Sequence, residues 1–414
     1  MTNGTLTTKN NRLMWMSNAP WAGTGYGNQT KLFAPRIRRL GYDIALTAFY
    51  GLEGGVLHFD DNIPVYPKGR HVYGLDVMGA HAQNFQAKIL ITLVDAWVLD
   101  PRAVTQSVYW VPWFPVDMEP LPPPVRDKVK FAYKRIVFSR FGEQMLNNEN
   151  LSCFYVPHGI DTNLFAPQDM TQCREALRWP TDKFIVGMVA ANKGVPARKA
   201  FAPQLEAFAE LKKKHSDIML YLHTSKGEGE QNVVNLPELC RYLGLTIGTL
   251  GQDNPAAVDV LFAEGYQYMM GYPDAFMAQM YSALDVHMLV SMGEGFGIPI
   301  VEAQSSGCPV IVGDWTSMSE LCFAGWKVDK SEADKWWTPL ASYQYQPRTG
   351  AVLERLEKAY MAKGRQKFRE QAREGAMNYD ADLVTENYWK PTLFDLFQEI
   401  NKPDVMPTMN LVKF

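Results

Sequence analysis

Short apolar runs recur along the first part of the chain, separated by longer stretches in which apolar residues return every three or four positions. The short runs predict buried strands, and the longer period predicts helices that cover a sheet. Regular alternation of the two indicates βα units on a mostly parallel sheet. The strands predicted before residue 140 are Leu13–Ser17, Asp43–Phe49, Lys88–Val94, Gln106–Val111 and Arg135–Ser139.

The same alternation returns in the second part of the chain, so the fold class predicted for the whole chain is α/β. The predicted strands there are Phe184–Ala190, Ile218–Thr224, Val286–Ser291 and Pro309–Gly313. Two charged or aromatic stretches near the end, Ala351–Met377 and Leu383–Ile400, each predict one long helix. Since 414 residues exceed what one hydrophobic core usually supports, we expect two domains.

Composition excludes several classes of protein. Hydrophobic residues at 47% and charged residues at 21% are typical of a soluble globular protein. A net charge of −3 gives no reason to expect a nucleic acid or an anionic membrane as partner. Residues 1–12 are polar, which predicts no signal peptide, and no apolar run approaches the ~20 residues of a membrane span. We therefore expect a cytoplasmic protein without a membrane span.

Metal-ligating residues show no pattern. The five cysteines stand apart without a C-x-x-C pair, and the seven histidines show no ligand spacing. Scattered cysteines are typical of reduced thiols in a reducing compartment, not of disulfides or a zinc site. We expect no metal and no cofactor.

The segment between the last two predicted strands, residues 291–313, carries the most chemistry. Its glycines at 293, 295 and 297 predict a loop, Pro299 suits the first position of a helix, and Gly307 suits its end. Backbone N–H groups of such a loop and of the first helical turn attract phosphate or developing negative charge.

Two acids of this segment, Glu294 in the loop and Glu302 in the expected first helical turn, have seven residues between them. Carboxylates placed there accept hydrogen bonds from adjacent hydroxyl groups, such as those of a sugar or a ribose. The alternative is a tight turn followed by a helix whose glutamate offsets the helix dipole.

The stretch Glu294–Glu302 resembles the E-x7-E motif of the retaining GT-B glycosyltransferases, of the glycosyltransferase family 4 type. Tyr155–Pro167 resembles the segment that joins the two domains in that family, and Met280–Ser291 resembles the helix and strand that lead into the motif. The resemblance implies two Rossmann-like, doubly wound domains that face each other across a cleft.

The resemblance also places the domain boundaries. Residues 1–160 are expected to form an N-terminal acceptor-side domain, completed by a C-terminal helix at 384–414. Residues 161–383 are expected to form the C-terminal domain that binds the nucleotide sugar.

In that family the second glutamate, here Glu302, binds the ribose of the donor. The first, Glu294, holds the sugar together with the backbone of Gly295, Phe296 and Gly297. The loop after the first strand lies over the donor diphosphate, so the resemblance implies donor-binding roles for the two glycines there, Gly23 and Gly25.

Arg198 and Lys199, adjacent residues just before a predicted helix, suit a diphosphate, because arginine forms bidentate bonds and lysine supplies a compact charge. Without context they equally fit a solvated basic pair. The family has an Arg-Lys pair at this place, which implies that both neutralise the leaving diphosphate, with Lys193 as the fallback.

Polar and aromatic residues after the strands of the first domain are candidates for the cleft, because ligands of open α/β sheets bind beyond strand C-terminal ends. They are Asp95, Trp97, Trp113 and Asp117, with aromatic packing favoured for the tryptophans. Many relatives carry a histidine near Asp95, beside the reacting sugar. We therefore include Asp95 with Glu294, Arg198 and Lys199 among the catalytic candidates. Glu320 is expected to be structural.

The function implied by the resemblance is transfer of a hexose from a nucleotide sugar, with retention at the anomeric carbon and without a metal. UDP-glucose is the preferred donor and GDP-mannose the second choice. The acceptor stays open among a glycan, a lipid-linked sugar, a protein and a modified DNA base. Two alternatives are a GT-B nucleotide-sugar epimerase or hydrolase, and a nucleotide-sugar-binding protein without turnover.

Overall fold

The computed structural model describes residues 11–60, 62–105 and 108–402. Most of the polar N-terminal segment and residues 403–414 of the predicted C-terminal helix lie outside the described residues. In the part of the chain that is described, no helix combines the length and the apolar character needed to cross a membrane.

The first sheet comprises eight strands within the described residues, in the spatial order β3-β4-β2-β1-β5-β6-β7-β8. All neighbours are parallel except β3 and β4, which are antiparallel. The strands are β1 (Arg12–Asn18), β2 (Asp43–Tyr50), β3 (Leu57–Phe59), β4 (Ile63–Tyr66), β5 (Ile89–Leu93), β6 (Tyr109–Phe114), β7 (Ile136–Val137) and β8 (Phe154–Tyr155).

Helices link these strands and cover the sheet, which is why the central strands are apolar on both faces. They are α1 (Gly25–Arg39), α2 (Leu75–Phe85), α3 (Pro101–Thr105), α4 (Pro123–Val129) and α5 (Arg140–Asn148).

The second sheet contains seven parallel strands, in the order β11-β12-β10-β9-β13-β14-β15, counted over the same described ranges. They are β9 (Phe184–Val189), β10 (Ile218–His223), β11 (Ile247–Thr249), β12 (Val260–Phe262), β13 (Val286–Leu289), β14 (Val310–Gly313) and β15 (Gly325–Val328). A separate antiparallel hairpin follows, formed by β16 (Ala333–Trp337) and β17 (Tyr343–Pro347).

The second part of the chain also supplies the remaining helices. They are α6 (Met170–Leu177), α7 (Phe201–Lys214), α8 (Leu236–Tyr242), α9 (Gly265–Met270), α10 (Asp274–Ala283), α11 (Ile298–Ser305), α12 (Met318–Leu321), α13 (Thr349–Met361), α14 (Gln366–Ala376), α15 (Ala381–Val384) and α16 (Lys390–Ile400).

The C-terminal helical segment lies against the first sheet. Trp389, fully buried, packs its ring 5.4 Å from that of Trp15 and 4.9 Å from that of Trp113. Farther along the chain, Phe397 stacks on Tyr42 at 5.1 Å. The segment around Trp389 and Phe397 therefore lies in the same half of the molecule as the first sheet.

Two details of the sequence prediction are wrong. The stretch Ala351–Met377 forms two helices, α13 and α14, because Gly364 between them has a φ of +75° that breaks the helix. Glu302 lies in the second turn of α11, because the helix already begins at Ile298. The strand expected at Gln106–Val111 corresponds to β6, and its first two residues, Gln106 and Ser107, lie outside the described residues.

Candidate active site

The E-x7-E segment runs from the end of β13 through a loop into α11. The loop ends at Gly297, whose φ of +106° is a conformation that L side chains rarely adopt. Pro299 sits in the first turn of α11, where its missing N–H costs nothing, and the helix stops just before Gly307, whose φ is +81°. The predicted sequence of strand, glycine loop, helix and strand is thus what the chain forms.

Two glycines of this loop allow the first domain to come close. A Cβ atom on Gly293 would lie 2.1 Å from the carbonyl oxygen of Asp117, and one on Gly295 would lie 2.4 Å from Cβ of Pro115. Such distances are too short for any side chain. The sequence pattern suggested a ligand beside these glycines. That space is filled here by Pro115 and Asp117, which follow β6.

The turn after β14 holds the loop in place. The backbone N–H of Glu294 donates to Thr316 Oγ1 at 3.1 Å, and Ser317 Oγ lies 2.8 Å from the carbonyl oxygen of Glu294 and 2.6 Å from that of Phe296. Thr316 has a φ of +53°, which is strained for a β-branched residue. The turn that fixes the glutamate is thus itself strained.

Arg198 and Lys199 follow β9 and immediately precede α7. Ala200 between them and the helix has a φ of +48°. The buried Gln204 side chain stabilises this turn, because its Nε2 donates to the carbonyl oxygens of Lys199 (2.7 Å) and Ala200 (3.0 Å). Its Oε1 accepts from the N–H of Val290 at 2.8 Å, which ties the turn to the end of β13.

The two cations meet Glu294 on opposite oxygens. Arg198 Nη1 lies 3.1 Å from Oε2, and Lys199 Nζ forms an ion pair with Oε1. Arg198 Nη1 also donates to the carbonyl oxygen of Gly293 and lies 3.7 Å from Oδ2 of Asp117. Glu294 is buried, whereas 14% of the Lys199 side chain and 38% of the Arg198 side chain are exposed to solvent.

The cations decide the charge of Glu294. Burial disfavours its ionised form, but Lys199 and Arg198 outweigh burial and lower the pKa of the carboxyl group to about 2. Burial lowers the pKa of Lys199, with Glu294 opposing this shift. The result is a carboxylate whose two oxygens are both engaged by positive charge.

Acids of the first domain face this cluster. Burial raises the pKa of Asp95 to about 6, and the neighbouring charge of Asp117 adds to the shift, while Arg198 opposes it. Burial likewise raises the pKa of Asp117. Tyr26 at the start of α1 shares the environment, and both acids raise its pKa further. Asp95 therefore lies within electrostatic reach of the second domain's cations.

The first loop lies opposite α11. Thr24 caps α1 by accepting the N–H of Gly27 at 3.0 Å. A Cβ atom on Gly25 would lie 3.5 Å from Cδ1 of Ile298, whereas one on Gly23 would meet nothing within 4 Å. Gly25 thus lies against the E-x7-E helix, whereas no contact places Gly23 there, and the donor-binding roles of both glycines stay predictions.

Glu302 lies apart from the Glu294 cluster, on a cavity of about 130 Å³ between the two domains. Its Oε2 accepts a hydrogen bond from Tyr281 Oη at 3.1 Å. Burial raises the pKa of Glu302 to about 7, with Asp274 adding to the shift and Tyr281 opposing it. Lys31 of α1 reaches Asp274 at 3.1 Å across the same cavity.

The remaining candidates have structural partners. Trp113 is buried and donates from Nε1 to the carbonyl oxygen of Val156 at 2.8 Å, whereas Trp97 is 45% exposed. The Phe296 side chain is buried against Phe138, and its carbonyl oxygen is engaged by Ser317.

Glu320 accepts the backbone N–H of Arg140 on both oxygens, at 3.0 and 2.9 Å, and thereby contacts the first turn of α5 in the other domain. Lys193, the fallback cation, is exposed.

Sequence reasoning missed Gln204, Thr316 and Ser317, whose side chains hold the loops of the site, and also Glu119 in the segment after β6. No motif marks these residues. The only signals were that Gln204 lies in the helix after Lys199 and that Thr316 and Ser317 follow a strand. In the described ranges, His, Cys, Asp and Glu side chains form no group of three that could hold a metal ion. Metal independence stays a prediction.

Comparison with known proteins gives the fold of the chain and a family match for part of its second half. Residues 184–337 match the family model described as Glycosyl transferases group 1. The serotype-specific mannosyltransferase WbdA of Escherichia coli is 29% identical over 124 residues, which cover 30% of this chain and 13% of that protein. This chain therefore matches only a small part of that relative's length.

Solved structures match almost the whole chain. The sucrose-phosphate synthase of Thermosynechococcus elongatus superposes with a TM-score of 0.69 at 15% identity, covering 94% of this chain and 99% of that one. Alr3699/HepE of Anabaena, in complex with UDP-glucose, gives a TM-score of 0.63 at 16% identity, covering 94% and 98%. The expected GT-B fold, with two Rossmann-like sheets, is confirmed. Membership of family 4 and the roles of the two glutamates stay predictions.

Proposed function

We propose that this protein is a retaining, metal-independent glycosyltransferase that moves a hexose from a nucleotide sugar to a hydroxyl acceptor. One observation carries the proposal: Arg198 and Lys199 are gathered on Glu294 at the face of the second domain that meets the first. The family match of residues 184–337 supports it.

The arrangement suggests how a donor would bind. A diphosphate carries more negative charge than one carboxylate, so it would draw Arg198 and Lys199 away from Glu294. The Glu294 oxygens would then accept hydrogen bonds from hydroxyl groups of the sugar. Glu302, on its own cavity, would accept the ribose hydroxyls. Binding of the nucleotide and recognition of the sugar are thus coupled, because Arg198 and Lys199 exchange Glu294 for the diphosphate.

The same cations would act in the chemical step. Breaking the bond between the sugar and the diphosphate leaves negative charge on the phosphate, and positive groups already in place stabilise it without a metal. The leaving phosphate would take the proton of the acceptor hydroxyl as the new glycosidic bond forms on the same face of the sugar. The first-domain acids Asp95 and Asp117 border the place where the acceptor would arrive.

UDP-glucose is the proposed donor and GDP-mannose the second choice. The UDP-glucose complex of the Anabaena protein supports the first, and the mannosyltransferase activity in the name of the Escherichia coli relative supports the second. The acceptor stays open among a glycan, a lipid-linked sugar, a protein and a modified DNA base. We also propose a cytoplasmic location.

The proposal competes with two others. A GT-B epimerase or hydrolase would use the same donor cleft with its carboxylates placed differently. A binding protein would keep the cleft without turnover, and Asp95, where many relatives have a histidine, supports this alternative. A thermal-shift screen with UDP- and GDP-sugars identifies the donor, because a specific ligand stabilises the folded state by mass action.

A product assay with the stabilising donor then separates the three. Nucleotide release that increases with an added acceptor, with an α-linked product from an α-linked donor, supports the transferase. Release that no acceptor changes supports the hydrolase, an altered sugar on the intact nucleotide supports the epimerase, and binding without release supports the non-enzyme.

A further inference from the structure

The hairpin of β16 and β17, which belongs to the second half of the chain, reaches across to the first domain. Glu119 pairs with Tyr343 through both backbone bonds: the N–H of Glu119 donates to Tyr343 O at 3.2 Å, and the N–H of Tyr343 donates to Glu119 O at 2.8 Å. Tyr343 of the hairpin and Glu119, in the segment after β6, thus form one antiparallel bridge. We refer to β16, its turn and β17 as the bridging hairpin.

Side chains strengthen this pairing. The Glu119 carboxylate accepts hydrogen bonds from Lys330 and from the hydroxyl group of Tyr345, which is buried. Burial opposes the charge of Glu119, but these two partners outweigh it and keep the pKa of the carboxyl group below its usual value. In the hairpin turn, Ser342 Oγ donates to the carbonyl oxygen of Pro120.

The same hairpin also holds the start of the E-x7-E loop. The N–H of Tyr345 donates to the carbonyl oxygen of Met292 at 2.9 Å. Tyr345 therefore contacts Glu119 with its side chain and Met292 with its backbone. Asp117 lies two residues before Glu119, and Gly293 directly follows Met292. The backbones of Asp117 and Gly293 are packed against each other.

From these contacts we propose that Glu119 is a positioning residue for the transfer reaction. It acts through Tyr345 and Lys330: by anchoring the bridging hairpin to the first domain, it sets Asp117 at its distance from Arg198 and holds the loop that carries Glu294. The inference rests on the proposed function and deepens it. Glu119 itself lies outside the cluster of Arg198, Lys199 and Glu294.

A displacement of about 1 Å in a catalytic group can cost about 100-fold in rate. The diphosphate contacts proposed for Arg198 and Lys199 do not involve Glu119. Loss of the Glu119 anchor should therefore lower kcat and leave the affinity for UDP nearly unchanged. Replacing a residue that only stabilises the fold would change neither kcat nor the affinity for UDP at temperatures below the Tm.

The test compares Glu119→Ala with a control on the same hairpin, Asp334→Asn. Asp334 forms an ion pair with Arg348 at 2.7 Å, and both side chains are mostly exposed. We expect Glu119→Ala to lower kcat for donor turnover about 10- to 100-fold with little change in the Kd of UDP, and Asp334→Asn to change neither. Glu119→Gln keeps an acceptor for Tyr345, so it should fall between wild type and Glu119→Ala.

Hydrogen exchange adds a readout that does not depend on turnover. The amide of Tyr343 donates to Glu119 and the amide of Tyr345 donates to Met292, so both should exchange faster in Glu119→Ala than in wild type or Asp334→Asn. If Glu119→Ala is not folded enough to assay, Glu119→Gln carries the same comparison.

Wild-type kcat in Glu119→Ala, an equal loss in Asp334→Asn, or a loss of UDP affinity as large as the loss of kcat would each overturn the positioning role. Unchanged exchange at Tyr343 and Tyr345 would overturn the bridge. Wild-type protein that turns over no nucleotide sugar would contradict the proposed function instead, and the exchange result would still decide the bridge.

Discussion

Arg198 Nη1 lies 3.1 Å from Glu294 Oε2, although the two residues are 96 positions apart in the chain. Lys199 engages the other oxygen of the same carboxylate. The residues assigned to the diphosphate and the residue assigned to the sugar are thus bonded to each other. In the proposed mechanism the donor replaces these bonds, which makes the cluster testable by charge removal.

Glu294→Gln should separate diphosphate binding from sugar recognition. Removing the carboxylate leaves Lys199 without its buried counter-ion, a change that typically costs about 3–5 kcal/mol of stability. A diphosphate would supply the missing charge. We expect a lower Tm without ligand, a larger rise in Tm with UDP than in wild type, and about tenfold tighter UDP binding, equal to ~1.4 kcal/mol.

Calorimetric titration and melting curves with UDP measure both effects. Glu320→Gln is the matched control, because Glu320 also lies between the domains but binds backbone N–H groups of the first domain. Weaker UDP binding in Glu294→Gln would show that the cations do not move from Glu294 to the diphosphate.

Donor affinity should depend on pH through Glu302. Its pKa in the folded protein is about 7, against an ordinary value of 4.5, so the folded state keeps a proton that the unfolded chain loses between these values. This group's contribution to stability therefore decreases as pH rises from 4.5 to 7. Ribose hydroxyls donate to the ionised carboxylate, so UDP-glucose should bind more tightly as pH rises through 7.

The groups facing Glu302 are Tyr281, which donates to it, and Asp274, which opposes its ionisation. Glu302→Gln should remove the pH dependence between 6 and 8. At pH 8 it should also weaken binding by about 1.5–3 kcal/mol, the usual contribution of a charge-assisted hydrogen bond. Calorimetry at three pH values tests this, and an unchanged affinity in Glu302→Gln would contradict the ribose assignment.

Neutralising Arg198 and Lys199 together, as Arg198→Gln with Lys199→Gln, should reduce turnover far more than the affinity for uridine. Each group that stabilises charge in a transition state typically contributes about 10²- to 10³-fold in rate. Uridine has no phosphate, so its contacts do not involve these cations. Kinetics and uridine titration measure the two effects, with Lys193→Gln as control. Full activity in the double variant would contradict stabilisation of the leaving diphosphate by Arg198 and Lys199 and would point to Lys193 instead.

Excess EDTA should change the rate of donor turnover little. The proposed stabilisation of the leaving diphosphate comes from Arg198, Lys199 and loop amides, which do not depend on a divalent cation. The measurement is nucleotide release with EDTA and after addition of Mg²⁺ or Mn²⁺. Activity that EDTA abolishes and Mn²⁺ restores would contradict metal independence and point to Asp95 and Asp117 as ligands.

The sequence predicted the local parts of the site well. The strand, glycine loop and helix around Glu294 form as expected, because Pro299 fixes a helical φ while Gly297 and Gly307 permit the positive φ angles found before and after the helix. Glu302 was expected in the first turn of the helix and lies in the second, because the helix begins one residue earlier than expected. A helix can begin a residue before its proline, and no residue after Gly297 delays its start.

By itself, then, the sequence determined the two α/β sheets, the E-x7-E loop and the placing of Arg198 and Lys199 before a helix, since these depend on residues near one another in the chain. Tertiary structure alone decided that both cations engage Glu294 and that Asp117 fills the space beside Gly293. It also decided that the bridging hairpin pairs with Glu119. These contacts join segments about 90 to 230 residues apart, and they depend on how the two domains dock, which no local propensity encodes.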